Sequence, residues 1–117
     1  MDVEQIRDYC LAMPGVTEDM KWGENLCFSV GGKLFLILGL DHSPVTASFK
    51  VPAEAFEEMS RRPGFKQAPY LARGNWVWVE DIGIPGEKNW PNYLQTSYQL
   101  ILSKLPATVR ATITKES

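Results

Sequence analysis

The sequence predicts an α+β fold: a two-layer sandwich in which an antiparallel sheet, a meander joined by one later strand, carries N-terminal, middle and C-terminal helices on one face. Three observations predict it. Apolar and polar residues alternate with the period of a strand in consecutive segments between residues 26 and 50. Apolar residues recur at helical spacing on both sides of that block. A further alternating run, Trp76-Val77-Trp78-Val79, comes after the middle helix, so a late strand must join the sheet from a distance. A chain of 117 residues suits one domain over residues 1–117 with one core.

Taken in order, Asp2-Val3-Glu4-Gln5 reads as a capping box, with Asp2 accepting from first-turn N–H groups and Gln5 reaching back. Val3, Ile6, Cys10 and Met13 form the apolar stripe of the first helix, and Pro14-Gly15 ends it. A polar loop is expected through Trp22-Gly23. Leu26, Phe28 and Val30 then share one face of a strand, with Cys27 and Ser29 on the other. Gly31-Gly32 supplies the positive φ angles of a tight hairpin. The strand that follows, Lys33 to Leu40, is apolar on both sides over Leu34–Leu38 and should be central. Asp41-His42-Ser43-Pro44 is a turn by composition, and Val45 to Lys50 completes a three-stranded meander. Pro52 fits the first helical position, and Ala55, Phe56 and Met59 are the inner side of a helix ending at Pro63-Gly64. The next ten residues read as loop, leading to the strand Asn75–Glu80. Leu94, Tyr98, Ile101 and Leu105 mark a long helix interrupted by Pro106, and a final short turn carries Val109 and Ile113.

Composition excludes several classes. Hydrophobic residues are 44% and charged residues 22%, far from a disordered chain. Two cysteines, Cys10 and Cys27, permit no disulfide framework and no CxxC metal or redox motif. No run of 18 apolar residues is present, and the N-terminus carries acids where a signal peptide needs cations, so a cytoplasmic protein without membrane partner is expected. A net charge of −2 argues against general coating of polyanions but leaves room for a local basic patch.

Such a patch is present. Between Met59 and Val79, Arg61, Arg62, Lys66 and Arg73 occur without an acid, whereas residues 1–24 are net acidic. Trp76 and Trp78 share one strand face, and an exposed indole beside cations is a surface on which nucleic-acid bases stack. Asn75 has the chemistry to reach base edges or phosphates, and Lys33 and Lys50 on the meander would extend the surface. Each feature also has an ordinary structural role. Glu57 to Arg61 and Glu58 to Arg62 are i,i+4 helix pairs, Asn75 suits a strand start, and indoles commonly pack between sheet and helix.

Pro14-Gly15, Trp22-Gly23, Lys33-Leu34-Phe35, Lys50 followed by Pro52, Pro69-Tyr70, the strand containing Trp76, and Ser97-Tyr98 ahead of Leu102 and Leu105-Pro106 together make the chain resemble the MmcQ/YjbR family of small bacterial proteins over nearly its whole length. The resemblance implies a CyaY/frataxin-like fold and a proposed double-wing DNA-binding role, with no enzymatic activity. The family's strand tryptophan is commonly preceded by His. Here Arg73-Gly74-Asn75 precedes Trp76, so no role for that imidazole is implied.

Catalytic signals are weak. Asp41-His42-Ser43 are neighbours in one turn, which cannot take up the geometry of a nucleophile, base and orienting acid. One His and two distant Cys give no metal-ligand spacing, so no metal or cofactor is expected. Three acids, Asp2, Glu4 and Asp8, are a thin basis for iron binding. Gly31-Gly32-Lys33 lacks the spacing of a phosphate loop. Two function classes follow. The first is a non-enzymatic binding domain for DNA using Arg61, Arg62, Lys66, Arg73, Asn75, Trp76 and Trp78, with Lys33 and Lys50. The second is a small-molecule or protein interaction module whose open sheet face and Pro69-Tyr70 loop form an apolar groove.

Overall fold

A computed structural model describes residues 1–69, 71 and 74–115. Among them the elements run α1 (Val3–Leu11), β1 (Val16–Lys21), β2 (Asn25–Val30), β3 (Lys33–Gly39), β4 (Thr46–Lys50), α2 (Ala53–Ser60), β5 (Phe65–Gln67), β6 (Trp76–Val79), α3 (Gly86–Leu102) and α4 (Ala107–Lys115). The strands form one six-stranded sheet in the order β1-β2-β3-β4-β6-β5, and every pairing is antiparallel. The α+β class holds, and β3 is interior as its two-sided apolar character requires.

Three elements differ from expectation. Residues 16–21, read as polar loop, are an edge strand that makes the meander four-stranded. Val16 and Glu18 turn to the helix side while Thr17, Asp19 and Lys21 are exposed, so the strand lacks the apolar alternation that marks a half-buried one. Phe65–Gln67, placed in a loop, is a three-residue strand at the opposite edge, too short to show periodicity. Residues 107–115 make a nine-residue helix rather than a short turn. Pro52 is the N-cap of α2 and not its first helical residue.

Local chemistry explains the elements read correctly. Gln5 N–H donates to Asp2 Oδ1 at 2.8 Å and Asp2 N–H to Gln5 Oε1 at 3.0 Å, completing the capping box of α1. The β2–β3 hairpin turns on Gly31 and Gly32 with φ of 58° and 81°. A Cβ on Gly31 would also meet Leu105 Cδ1 at 2.5 Å, so a larger residue there would both strain the backbone and displace the Leu105 side chain. Opposite the Phe28/Ser29 step, the β2–β3 register skips Phe35, a bulge that lets Phe35 and Leu36 both be fully buried.

The core lies between the sheet and the helices. Phe28, Leu36, Phe49 and Val77 are consecutive cross-strand partners on one face, all fully buried. Phe49 stacks on Tyr93 at 5.3 Å and meets Trp90 edge-on at 5.5 Å, joining β4 to α3. Trp90 Nε1 donates to the Ile82 carbonyl at 2.7 Å, so its burial leaves no polar atom unpaired. Buried Ser97 donates to the Phe35 carbonyl at 2.5 Å and accepts from Lys50 N–H at 3.0 Å, locking α3 to β3 and β4. Tyr98 Oη donates to the Pro14 carbonyl at 2.6 Å.

Candidate functional site

Among the described residues no helix packs across the sheet's other face. Its central row reads Asp19, Cys27, Ile37, Ser48, Trp78 and Lys66 across the six strands, set by the same register that buries Phe28 and Phe49 behind it. Ile37, Ser48 and Trp78 are half-buried and Lys66 is exposed. Loops lean over part of this face. Pro69 and Leu71 from the β5–β6 connection and Trp22 from the β1–β2 turn join Leu34, Ile37 and Ser48 in a mostly apolar groove of about 380 Å³. Trp22 is 68% exposed and held at φ +49°, with Lys21 Nζ 6.0 Å from its ring centre.

The structure divides the residues expected to bind nucleic acid into two groups. In the first, Arg61 and Lys66 line one cleft of about 640 Å³ at the β5 edge, with Gln67, Ser60, Phe56 and Glu57. Lys66 Nζ lies 4.4 Å from the centre of the Trp78 ring, a cation–π contact on the helix-free face. Arg61 is paired with Glu57 at 2.6 Å, but both side chains are about three-quarters exposed. Arg62 stands apart from this cleft, bonded to Glu58 at 2.9 Å and to Tyr93 Oη at 3.1 Å. The first of these contacts, with the second, keeps its guanidinium firmly charged.

The second group lies toward the other end of β6. Lys50 and Trp76 are cross-strand partners on the helix-free face, yet Lys50 is 6% exposed and Trp76 7%. Lys50 Nζ donates to the Gly74 carbonyl, which covers it. Burial first, and then the positive charge of Lys104, hold the Lys50 ammonium below its ordinary pKa. The expectation that Lys50 and Trp76 present themselves to phosphates or bases is therefore corrected: both are buried, with Gly74 lying against them. Lys33 is exposed beside the β2–β3 hairpin. Asn75 adopts φ +63° just before β6, and its carbonyl accepts from Val51 N–H at 3.0 Å, so it serves a backbone turn. Arg73 and Tyr70 lie outside the described residues.

Sequence reasoning missed Trp22, Leu34, Ile37, Ser48 and Leu71 as groove residues. The Trp22-Gly23 pair was visible, but only the β1 strand beneath it shows that the ring stands at a sheet face. His42 Nε2 lies 3.6 Å from Asp41 Oδ1 on an exposed turn, with no nucleophile bonded to it. Among the described residues no group of three His, Cys, Asp or Glu is placed to hold a metal ion. No helix among them is long and apolar enough to cross a membrane.

These features define an open-faced α+β domain, with helices on one side of an antiparallel sheet and an aromatic, partly cationic surface on the other. Comparison with protein-family models matches residues 11–100 to the YjbR family, and the chain belongs to that family. The fold is similar to the crystal structure of protein DR2400 from Deinococcus radiodurans, of domain family DUF419, with a TM-score of 0.85 and 23% identity over 96% of this chain and 87% of that one. It is also similar to a protein from Pseudomonas syringae, with a TM-score of 0.69 and 21% identity over 86% of this chain and 99% of that one. Comparison with curated proteins finds no match.

Proposed function

We propose that this protein is a non-enzymatic nucleic-acid-binding domain that uses its helix-free sheet face, with single-stranded DNA as the preferred form. One observation carries the proposal: Lys66, in the same cleft as Arg61, lies over the partly exposed ring of Trp78. Lys66 thus meets the indole directly, and Arg61 adds a second cation to the cleft that Lys66 lines. An i,i+4 pair such as Glu57–Arg61 contributes about 0.2 to 0.5 kcal/mol, so it yields readily to a phosphate. A strand anchored there runs its bases over Trp78 toward the Ser48–Ile37 groove and Trp22, since stacking on open sheets accepts any base.

The test is fluorescence anisotropy against labelled single- and double-stranded DNA at several salt concentrations. Log affinity for single strands should fall with log salt at a slope of about −0.7 per phosphate contact. Arg61→Glu with Lys66→Glu should flatten that slope, and Trp78→Ala should weaken binding by about 1 to 3 kcal/mol. Absence of salt-sensitive binding to either form ends the proposal. The alternative is an interaction module for a small apolar molecule or an apolar segment of a protein. The mostly apolar lining of the Trp22–Leu71 groove favours it, and it predicts salt-independent binding.

A further inference from the structure

Beyond the groove, on the far side of Leu34, lies a separate cavity of about 300 Å³. Leu34, Trp76, Ile101, Leu105 and Pro106 give it an apolar wall, and Lys33 and Lys104 complete the lining. Both lysines are exposed. Buried Lys50 sits directly behind, as the cross-strand partner of Trp76. Among the described residues none of these three lysines forms an ion pair with a carboxylate, whereas Arg7, Arg61 and Arg62 all do. Among the described residues the Lys50 ammonium donates to a backbone carbonyl, that of Gly74, and to no carboxylate. Charges buried this deeply ordinarily bring their counter-ion with them. Here positive charge is concentrated around an apolar hollow with no protein anion to balance it.

We infer that this cavity binds an organic carboxylate with a compact apolar body, its acid group between Lys33 and Lys104 and its body against Trp76, Leu34 and Leu105. The volume lies at the small end of known ligand pockets, which fits a monocyclic or short-chain acid. The cavity adjoins the C-terminal end of α3, where the helix carries partial negative charge, and this disfavours a doubly charged phosphate relative to a single carboxylate. The cavity shares no lining residue with the Arg61–Lys66 cleft, so the inference does not depend on nucleic-acid binding.

The experiment is a titration followed by ¹H–¹⁵N NMR, with 3-phenylpropionate as probe and 3-phenylpropan-1-ol as its uncharged counterpart. The carboxylate should give saturable shifts centred on the Trp76 indole N–H and the amides of Lys33, Leu34 and Lys104. The alcohol should bind at least about tenfold more weakly, the scale of one charge-assisted contact. Because Lys33 and Lys104 are exposed, Lys33→Met with Lys104→Met should leave the remaining spectrum in place while lowering carboxylate affinity to that of the alcohol. Arg61→Glu with Lys66→Glu should leave carboxylate binding unchanged, which separates failure of this site from failure of the nucleic-acid surface. Equal affinity for acid and alcohol, shifts centred elsewhere, or no saturation by about 10 mM, well below ordinary metabolite affinity, would overturn the inference.

Discussion

On the helix side of the sheet, the row Phe28, Leu36, Phe49 and Val77 is wholly sealed, whereas its neighbours on the reverse side, Cys27, Ile37, Ser48 and Trp78, range from buried to half-buried under loops alone. The same four strands supply both rows. The contrast therefore arises from what packs on each side: α1, α2 and α3 on one, Trp22 with Pro69 and Leu71 on the other. Helix packing sets stability, and loop cover leaves shaped, chemically mixed hollows free for ligands. The lesson is that the two tryptophans of β6 are not core residues in the helix-facing sense, although one of them is buried.

The contrast can be broken most decisively by comparing Trp90→Ala with Trp78→Ala in urea unfolding. Loss of fully buried Trp90 should cost about 3 to 5 kcal/mol. Loss of Trp78 should cost about 1 kcal/mol, chiefly its contact with Lys66. Equal losses would show that the helix-free face is as much core as the other. Next in size is a serine pair. Ser97→Ala deprives the Phe35 carbonyl and the Lys50 N–H of a buried partner and should cost about 1 to 3 kcal/mol, while Ser48→Ala on the groove wall should stay within about 0.5 kcal/mol.

A smaller effect is expected at acid pH. Arg7 donates to both carboxylate oxygens of Glu18 at 2.7 and 2.6 Å, tying α1 to β1. That hydrogen bonding holds the Glu18 pKa below its ordinary 4.5, against the opposing effect of burial. The folded state thus binds fewer protons at this site than the unfolded chain. Its contribution is complete above the unfolded value and is lost as pH falls through the lower folded one. The denaturation midpoint should therefore decline more steeply below pH 4.5 in the parent than in Glu18→Gln. The mildest test concerns the thiols. Burial pushes Cys10 on the helix side up to about 12, and raises Cys27 on the groove side as well, with Lys21 pulling partly the other way. Both should resist a disulfide reagent at neutral pH, with Cys27 modified first. Faster modification of Cys10 would show that α1 opens more readily than the loops do.

Much of this organisation was legible in the residues. Alternation over 26–50 and at Trp76–Val79 marked the interior strands, and the stripe Val3, Ile6, Cys10 marked α1, because burial on one face imposes a period that composition alone reveals. Edge strands carry no such imprint. β1 buries little, and β5 is shorter than one cycle of pattern. The candidate surface was legible only in part. Arg61, Lys66 and Trp78 could be named from charge and aromatic character, but the seclusion of Lys50 and Trp76 depends on Gly74 folding across them. Lys104 carries no local sign of its company, for its neighbours in space, Lys33 and Lys50, lie more than fifty residues away in sequence.

The two outermost strands also shape how copies of this molecule behave toward one another. β1 presents Asp19 and Lys21 to solvent, and β5 offers three residues, one of them the exposed Lys66. Continuing the hydrogen-bond ladder into a neighbouring chain would either press charges together or gain too few bonds to persist. A concentrated solution should thus resist edge-to-edge aggregation, even with a largely apolar hollow open on the broad side of the sheet.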